Sequence, residues 1–206
     1  MDPPVFRYKR WDRTIASIAW PRVWRQCYDN FSENRLCDVH WRVLHRSLPL
    51  ATVLHKHNGS SSPYCSLCPD NQHETLEHLF FQCTAVQPLL RQTANWITRL
   101  KGSPFTLDIR YMITNIDYQK KDFVTLLCNY IINVTRCAIW TCRNIRRFEL
   151  RSVNLQTFAR LIVKERLNVE YFTHLHLQNN LPRFAGTWVL NDVLCTLDGT
   201  KLIQLL

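Results

Sequence analysis

Cys65, Cys68, His78 and Cys83 stand in the spacing C-x2-C-x9-H-x4-C, four metal-binding side chains within nineteen residues. Three thiolates and one imidazole form the donor set of a tetrahedral zinc ion, with Zn–S near ~2.3 Å and Zn–N near ~2.0 Å. Two cysteines two residues apart can aim both sulfurs at one point from a tight turn. Four protein ligands leave no position for water, so the chemistry on offer is a cross-link and not the activation of a nucleophile. His78 and Cys83 are the awkward pair. Five residues of ideal α-helix turn through about 500°, which leaves the two side chains about 140° apart. They can share an ion only near a helix end or where the helix loosens. His73 is a rival ligand, since C-x2-C-x4-H opens a retroviral type of knuckle, but its closing cysteine would come too late.

The elements that must position this cluster read as helices. Ile15, Ile18, Ala19, Val23 and Trp24 recur at helical spacing after Asp12, a candidate cap, with Pro21 limiting or kinking that helix. A second helix from about Ser32 carries Leu36, Val39, Trp41, Val43 and Leu44, and after Pro49 a short one follows from about Leu50 to His57. Asn58-Gly59-Ser60-Ser61-Ser62-Pro63 is a loop leading into the cluster. Beyond it, one helix is expected from Thr75 or His73 to about Leu100, stopped by Gly102-Ser103-Pro104. Asp117 to Leu150 reads as a long helix with a one-sided apolar stripe through Phe123, Leu127, Ile131, Val134, Ala138 and Cys142. Another helix covers about Leu155 to His176, and the tail from Pro182 to Leu206 reads as weakly strand-like. The expected fold is mainly α: a helical bundle with a small CCHC zinc knuckle. Its segments are 1–60 (helical), 61–101 (knuckle and following helix) and 102–206 (helical, with the tail).

The chain of 206 residues carries a net charge of +10, which attracts polyanions. The surplus falls in two blocks, residues 1–60 and 136–166, on either side of a near-neutral knuckle. Arg136, Trp140, Arg143 and Arg147 share one helical stripe, where arginines could neutralise phosphates and an indole could stack on an unpaired base. Arg42, Arg46 and Lys56 make a second basic group beside the knuckle. The remaining cysteines, Cys27, Cys37, Cys128, Cys137, Cys142 and Cys195, show no paired spacing and read as small buried hydrophobes. No apolar run follows Met1-Asp2-Pro3-Pro4, so no signal peptide is expected, and free thiols point to the nucleus or cytoplasm. Asn129, Asn133 and Arg136 interrupt the longest apolar run and read against a membrane span. No Asp-Asp pair stands ready to hold catalytic metal ions, and the alternating histidines His55-Lys56-His57 and His174-Leu175-His176 are a poor case for an open metal site, so no enzyme is expected.

The run from Cys65 and Cys68 to Glu74-Thr75-Leu76-Glu77-His78-Leu79-Phe80-Phe81-Gln82-Cys83 closely resembles the zinc-binding region that follows the reverse transcriptase of non-LTR (LINE-type) retrotransposons. Upstream, Trp41-Arg42-Val43-Leu44-His45-Arg46-Ser47-Leu48-Pro49 is similar to that family's tryptophan-led helix. Downstream, Ile139-Trp140-Thr141-Cys142-Arg143-Asn144 with Phe148-Glu149 is similar to its "IW..RN...FE" helix. The resemblance implies one structural zinc ion and a surface that grips RNA or single-stranded DNA, in a retrotransposon relic or in a product retained for binding. A zinc-stapled scaffold for a protein partner is the alternative.

Overall fold

The computed structural model describes residues 11, 18, 20–28, 31–116, 122–177 and 180–206. Asp12, Ile15, Ala19 and Asp117, which figure in the expected helix starts, lie outside the described residues. Helix α1 spans Trp20–Gln26, α2 Asn34–Leu44 and α3 Ala51–His57. Pro21 therefore opens α1 instead of limiting it. A proline is tolerated in the first turn, where its missing N–H has no intrahelical partner to lose.

The helix expected from Thr75 to Leu100 is two pieces. A π-turn, His78–Gln82, ends at Cys83, whose ψ of 127° leaves the helical region. A 3-10 turn, Thr84–Val86, then leads into α4, Gln87–Lys101, with Pro88 in its first turn. Gly102 ends α4 in the left-handed conformation, φ 63°, as a residue without Cβ does most readily. A short helix α5, Ile109–Thr114, follows under an Asp108 cap that accepts from the Tyr111 N–H. It has too few turns to show a period in the sequence.

Helix α6, Phe123–Phe148, is the centre of the molecule. Helices α2 and α4, together with α7 at Leu155–Phe172, pack around it. Every residue from 127 to 139 is buried, so the expected one-sided stripe is in fact a turn-by-turn enclosure. Among the described residues α6 is the one helix long and apolar enough to cross a membrane, yet 72% of its most apolar stretch is covered by the rest of the chain. Its buried asparagines and Thr135 find partners inside the protein, as buried polar groups generally do. Asn129 brackets the backbone of Ile116, accepting from its N–H at 2.8 Å and donating to its carbonyl at 3.1 Å. Asn133 donates to Ser32, and the Thr135 hydroxyl meets that of Thr93 at 2.7 Å.

After α7, a second π-turn, Thr173–Leu177, precedes α8, Leu181–Trp188. Gly186 and Thr187 are thus helical and not strand-like: Asn180 caps the helix and Pro182 sits in its first turn. Strand character begins only at β1, Cys195–Asp198, which pairs antiparallel with β2, Lys201–Gln204, around Gly199 at φ 58°. The three segments read from the sequence contribute to one hydrophobic cluster, from Trp11 through Leu79 and Ile131 to Cys195. Phe31, Tyr130 and Trp188 form its aromatic centre, with Phe31 stacked on Trp188 at 5.2 Å.

Candidate metal centre

The knuckle is a short backbone clasp. Tyr64 and His73 form an isolated antiparallel bridge, closed by Cys65 N–H to Gln72 O at 2.9 Å and Glu74 N–H to Pro63 O at 3.0 Å. This clasp folds Cys65 and Cys68 over the helical turn that follows. The Thr75 hydroxyl accepts from the His78 N–H at 3.1 Å and starts that turn. The turn then widens, with Cys83 N–H donating to His78 O at 2.7 Å. A π-turn bonds residue i to residue i+5, so residues five apart lie nearly one above the other. The loosening that the H-x4-C spacing demands is this extra residue.

The four ligand atoms, one each from Cys65, Cys68, His78 and Cys83, all lie within 4.8 Å of one another, and all four residues are buried. Cys65 Sγ is 3.9 Å from Cys83 Sγ, and Cys68 Sγ is 3.4 Å from His78 Nε2. Two sulfurs on a tetrahedral zinc are about 3.8 Å apart, and a sulfur and a nitrogen about 3.5 Å. The donor set and its spacing therefore fit a zinc ion. His73 stands outside, exposed, with its ring at a steep angle to that of Tyr64, 5.2 Å between centres.

Crowding already prepares one thiolate. The contact with Cys83, helped by the backbone N–H groups of Cys68 and Leu67, draws the Cys65 thiol down to about 5 against the opposing effect of burial. The same contact, with burial, pushes Cys83 upward, while burial raises Cys68.

A buried ion pair joins this centre to α6. The Glu74 carboxylate receives Arg143 Nη2 at 2.5 Å and Nε at 3.1 Å, and both side chains are fully buried. Glu74 Oε1 also accepts from the Ala51 N–H at 2.6 Å, capping the start of α3. Arg143 Nη2 donates to Pro49 O at 3.2 Å. Three stretches of the chain thus converge on one network: Pro49 closes the tryptophan-led stretch, Glu74 lies within the cysteine and histidine run, and Arg143 sits in α6.

This placement corrects the expected basic stripe. Arg143 is a structural tie and cannot reach a phosphate. Arg136 is also fully buried, donating to Met112 O at 3.1 Å and to Asn115 Oδ1 at 2.6 Å, and so closes the carbonyl end of α5. Trp140 is half-buried, with the Arg143 guanidinium 4.9 Å from its ring centre. Arg46 is paired with Glu77 at 2.5 Å and lies 3.8 Å over the Trp11 ring. Arg42 and Lys56 are exposed, with Arg42 in a surface pair with Asp38 at 2.8 Å, and Arg147 is half-buried. Glu74 carries no functional reading in the sequence. The signal for its role lies on its partner: Arg143 follows Ile132, Arg136 and Ile139 at steps of three and four on an enclosed helix, where an arginine needs a buried acid.

Fold and site define a helical protein with a buried Cys3His cluster whose four ligand atoms could hold one metal ion. The family described as zinc-binding in reverse transcriptase matches residues 9–89, a stretch that contains all four ligands and Glu74 and stops short of Arg143. No curated protein and no solved structure matches the chain.

Proposed function

We propose that this chain binds nucleic acid through a helical body fixed by one structural zinc ion, and that it is related to the region following the reverse transcriptase of non-LTR (LINE-type) retrotransposons. Zinc in this site would supply a cross-link among Cys65, Cys68, His78 and Cys83, with no open coordination position. The observation that carries the reading is the net charge of +10 around a metal cluster that is filled by protein ligands. A strongly basic surface attracts a polyanion such as RNA or single-stranded DNA. The chain acts by binding and not by turnover, and it works in the nucleus or cytoplasm, where its thiols stay reduced.

The test is binding of labelled RNA and single-stranded DNA across a salt series. Affinity should fall steeply and linearly in the logarithm of salt concentration. Absence of binding at low salt would overturn the reading. A protein-interaction scaffold is the second reading. It is favoured by the apolar side chains that α7 leaves exposed: Leu161 at 49%, Val169 at 62% and Phe172 at 56%. Copurification with nucleic acid, seen as a high ratio of absorbance at 260 to 280 nm, separates the two.

A further inference from the structure

An open groove of about 700 Å³ lies between the outer wall of the knuckle and the last turn of α6, with Ser62, Tyr64, Asn71, Arg146, Arg147 and Phe148 on its walls. Two aromatic rings stand in solvent here, Tyr64 at 43% exposure and Phe148 at 66%. The Tyr64 ring meets that of His73 at a steep angle, 5.2 Å between centres, and Phe148 ends its helix at the surface with the Arg143 guanidinium 5.8 Å from its ring centre.

Two cations stand beside these rings. Arg146 donates to the Ser152 hydroxyl at 3.0 Å, and Arg147 to Ser62 O at 2.9 Å. Among the described residues no carboxylate pairs with either. Free guanidinium charge next to exposed aromatic faces, at one concave place, is the combination an unpaired nucleotide stretch requires: bases stack on rings while phosphates meet cations.

We propose, resting on the nucleic-acid reading above, that this groove holds an unpaired segment of nucleic acid, with bases stacked on Phe148 and Tyr64 and phosphates neutralised by Arg146 and Arg147. A duplex keeps its base faces stacked inside the helix and can use only the arginines. The groove therefore selects single strands. One wall hangs on the metal centre, since Tyr64 adjoins the ligand Cys65. The other belongs to α6.

The experiment measures fluorescence anisotropy of labelled oligouridine RNA, oligothymidine DNA and a blunt DNA duplex, with the zinc-loaded protein and folded variants of equal zinc content. Phe148→Ala and Tyr64→Ala should each weaken single-strand binding about tenfold or more and leave duplex binding nearly unchanged, while Phe148→Tyr should bind like the wild type. The double variant Arg146→Gln/Arg147→Gln should reduce the salt slope on single strands by about 1.4. A charge-matched control, Arg110→Gln/Arg160→Gln, removes exposed arginines on α5 and α7 and should stay within about twofold of wild type. Either single strand suffices for the proposal, and tighter binding of the uridine strand assigns RNA as its source. If wild type binds with a steep salt slope but the two alanine variants match it, or both double variants lose affinity equally, the groove is overturned and the general reading stands. Equal losses on duplex and single strand also overturn it. No binding of any probe at low salt overturns both.

Discussion

At the scale of the residue, Glu74 and Arg143 matter most after the metal ligands. Two opposite charges with no exposure carry a desolvation penalty that only their mutual contacts offset. Removing either partner leaves the other charge stranded, so Glu74→Ala or Arg143→Ala should cost about 3–5 kcal/mol, read as a shift in urea midpoint of the zinc-loaded protein. Arg143→Lys should rescue little, because a single ammonium cannot reach Glu74 and Pro49 O together. His40 is the pH-sensitive residue. Its Nε2 lies 2.9 Å from Ile113 O, and burial, reinforced by the Arg136 charge, holds it well below the usual histidine range despite that bond. The unfolded chain takes up this proton below about pH 6.5 while the folded chain stays neutral. Stability is therefore full above that pH and declines beneath it, by up to about 1.4 kcal/mol per pH unit from this group. Denaturation of wild type and His40→Gln at neutral and mildly acidic pH checks the slope, which should be shallower in the variant.

At the scale of the element, the long helix α6 and the π-turn show what a sequence discloses. Spacing alone places the four ligands and foretells that an H-x4-C pair cannot sit on an ideal helix. It does not say how the helix gives way, because the turn that widens is selected by the clasp and by Thr75, which lie outside the spacing. The enclosure of α6 is legible only in part for a similar reason. A stripe with steps of three and four is visible, but burial on all sides depends on α2, α4 and α7 arriving together. Arg136 and Arg143 fall to this error: charged residues on an apparent outer face turn out to be interior ties. The start of α6 rests on Asp122, which accepts from the Thr125 N–H at 2.7 Å and from its hydroxyl at 2.9 Å. Those bonds, the N–H first, hold its carboxyl below the usual range despite slight burial. Asp122→Ala should cost about 1 kcal/mol in thermal or urea unfolding.

At the scale of the whole molecule, the knuckle and the helical body share one core, with Leu76, Leu79 and Phe80 from the knuckle side packed into the same cluster as Ile131 and Val163. Metal binding at the cluster would then be coupled to folding. Sites of this kind contribute about 10–16 kcal/mol in small peptides, against about 5–15 kcal/mol for the stability of a whole domain. Chelation should therefore lower the melting temperature of the entire chain and not only loosen residues near the ion. Thiol labelling adds a spatial readout. After chelation Cys65, whose thiol is drawn down to about 5, should react first. Burial holds the thiols of Cys128 and Cys195 up at about 12 and that of Cys142 at about 11, so these should resist until global unfolding.

Metal content of the purified chain tests the central claim most directly. One zinc per chain is expected in the wild type and in His73→Ala, with zinc lost from Cys65→Ser and His78→Ala. A wild type that carries no zinc, or a His73→Ala variant that loses it while His78→Ala keeps it, would contradict the account.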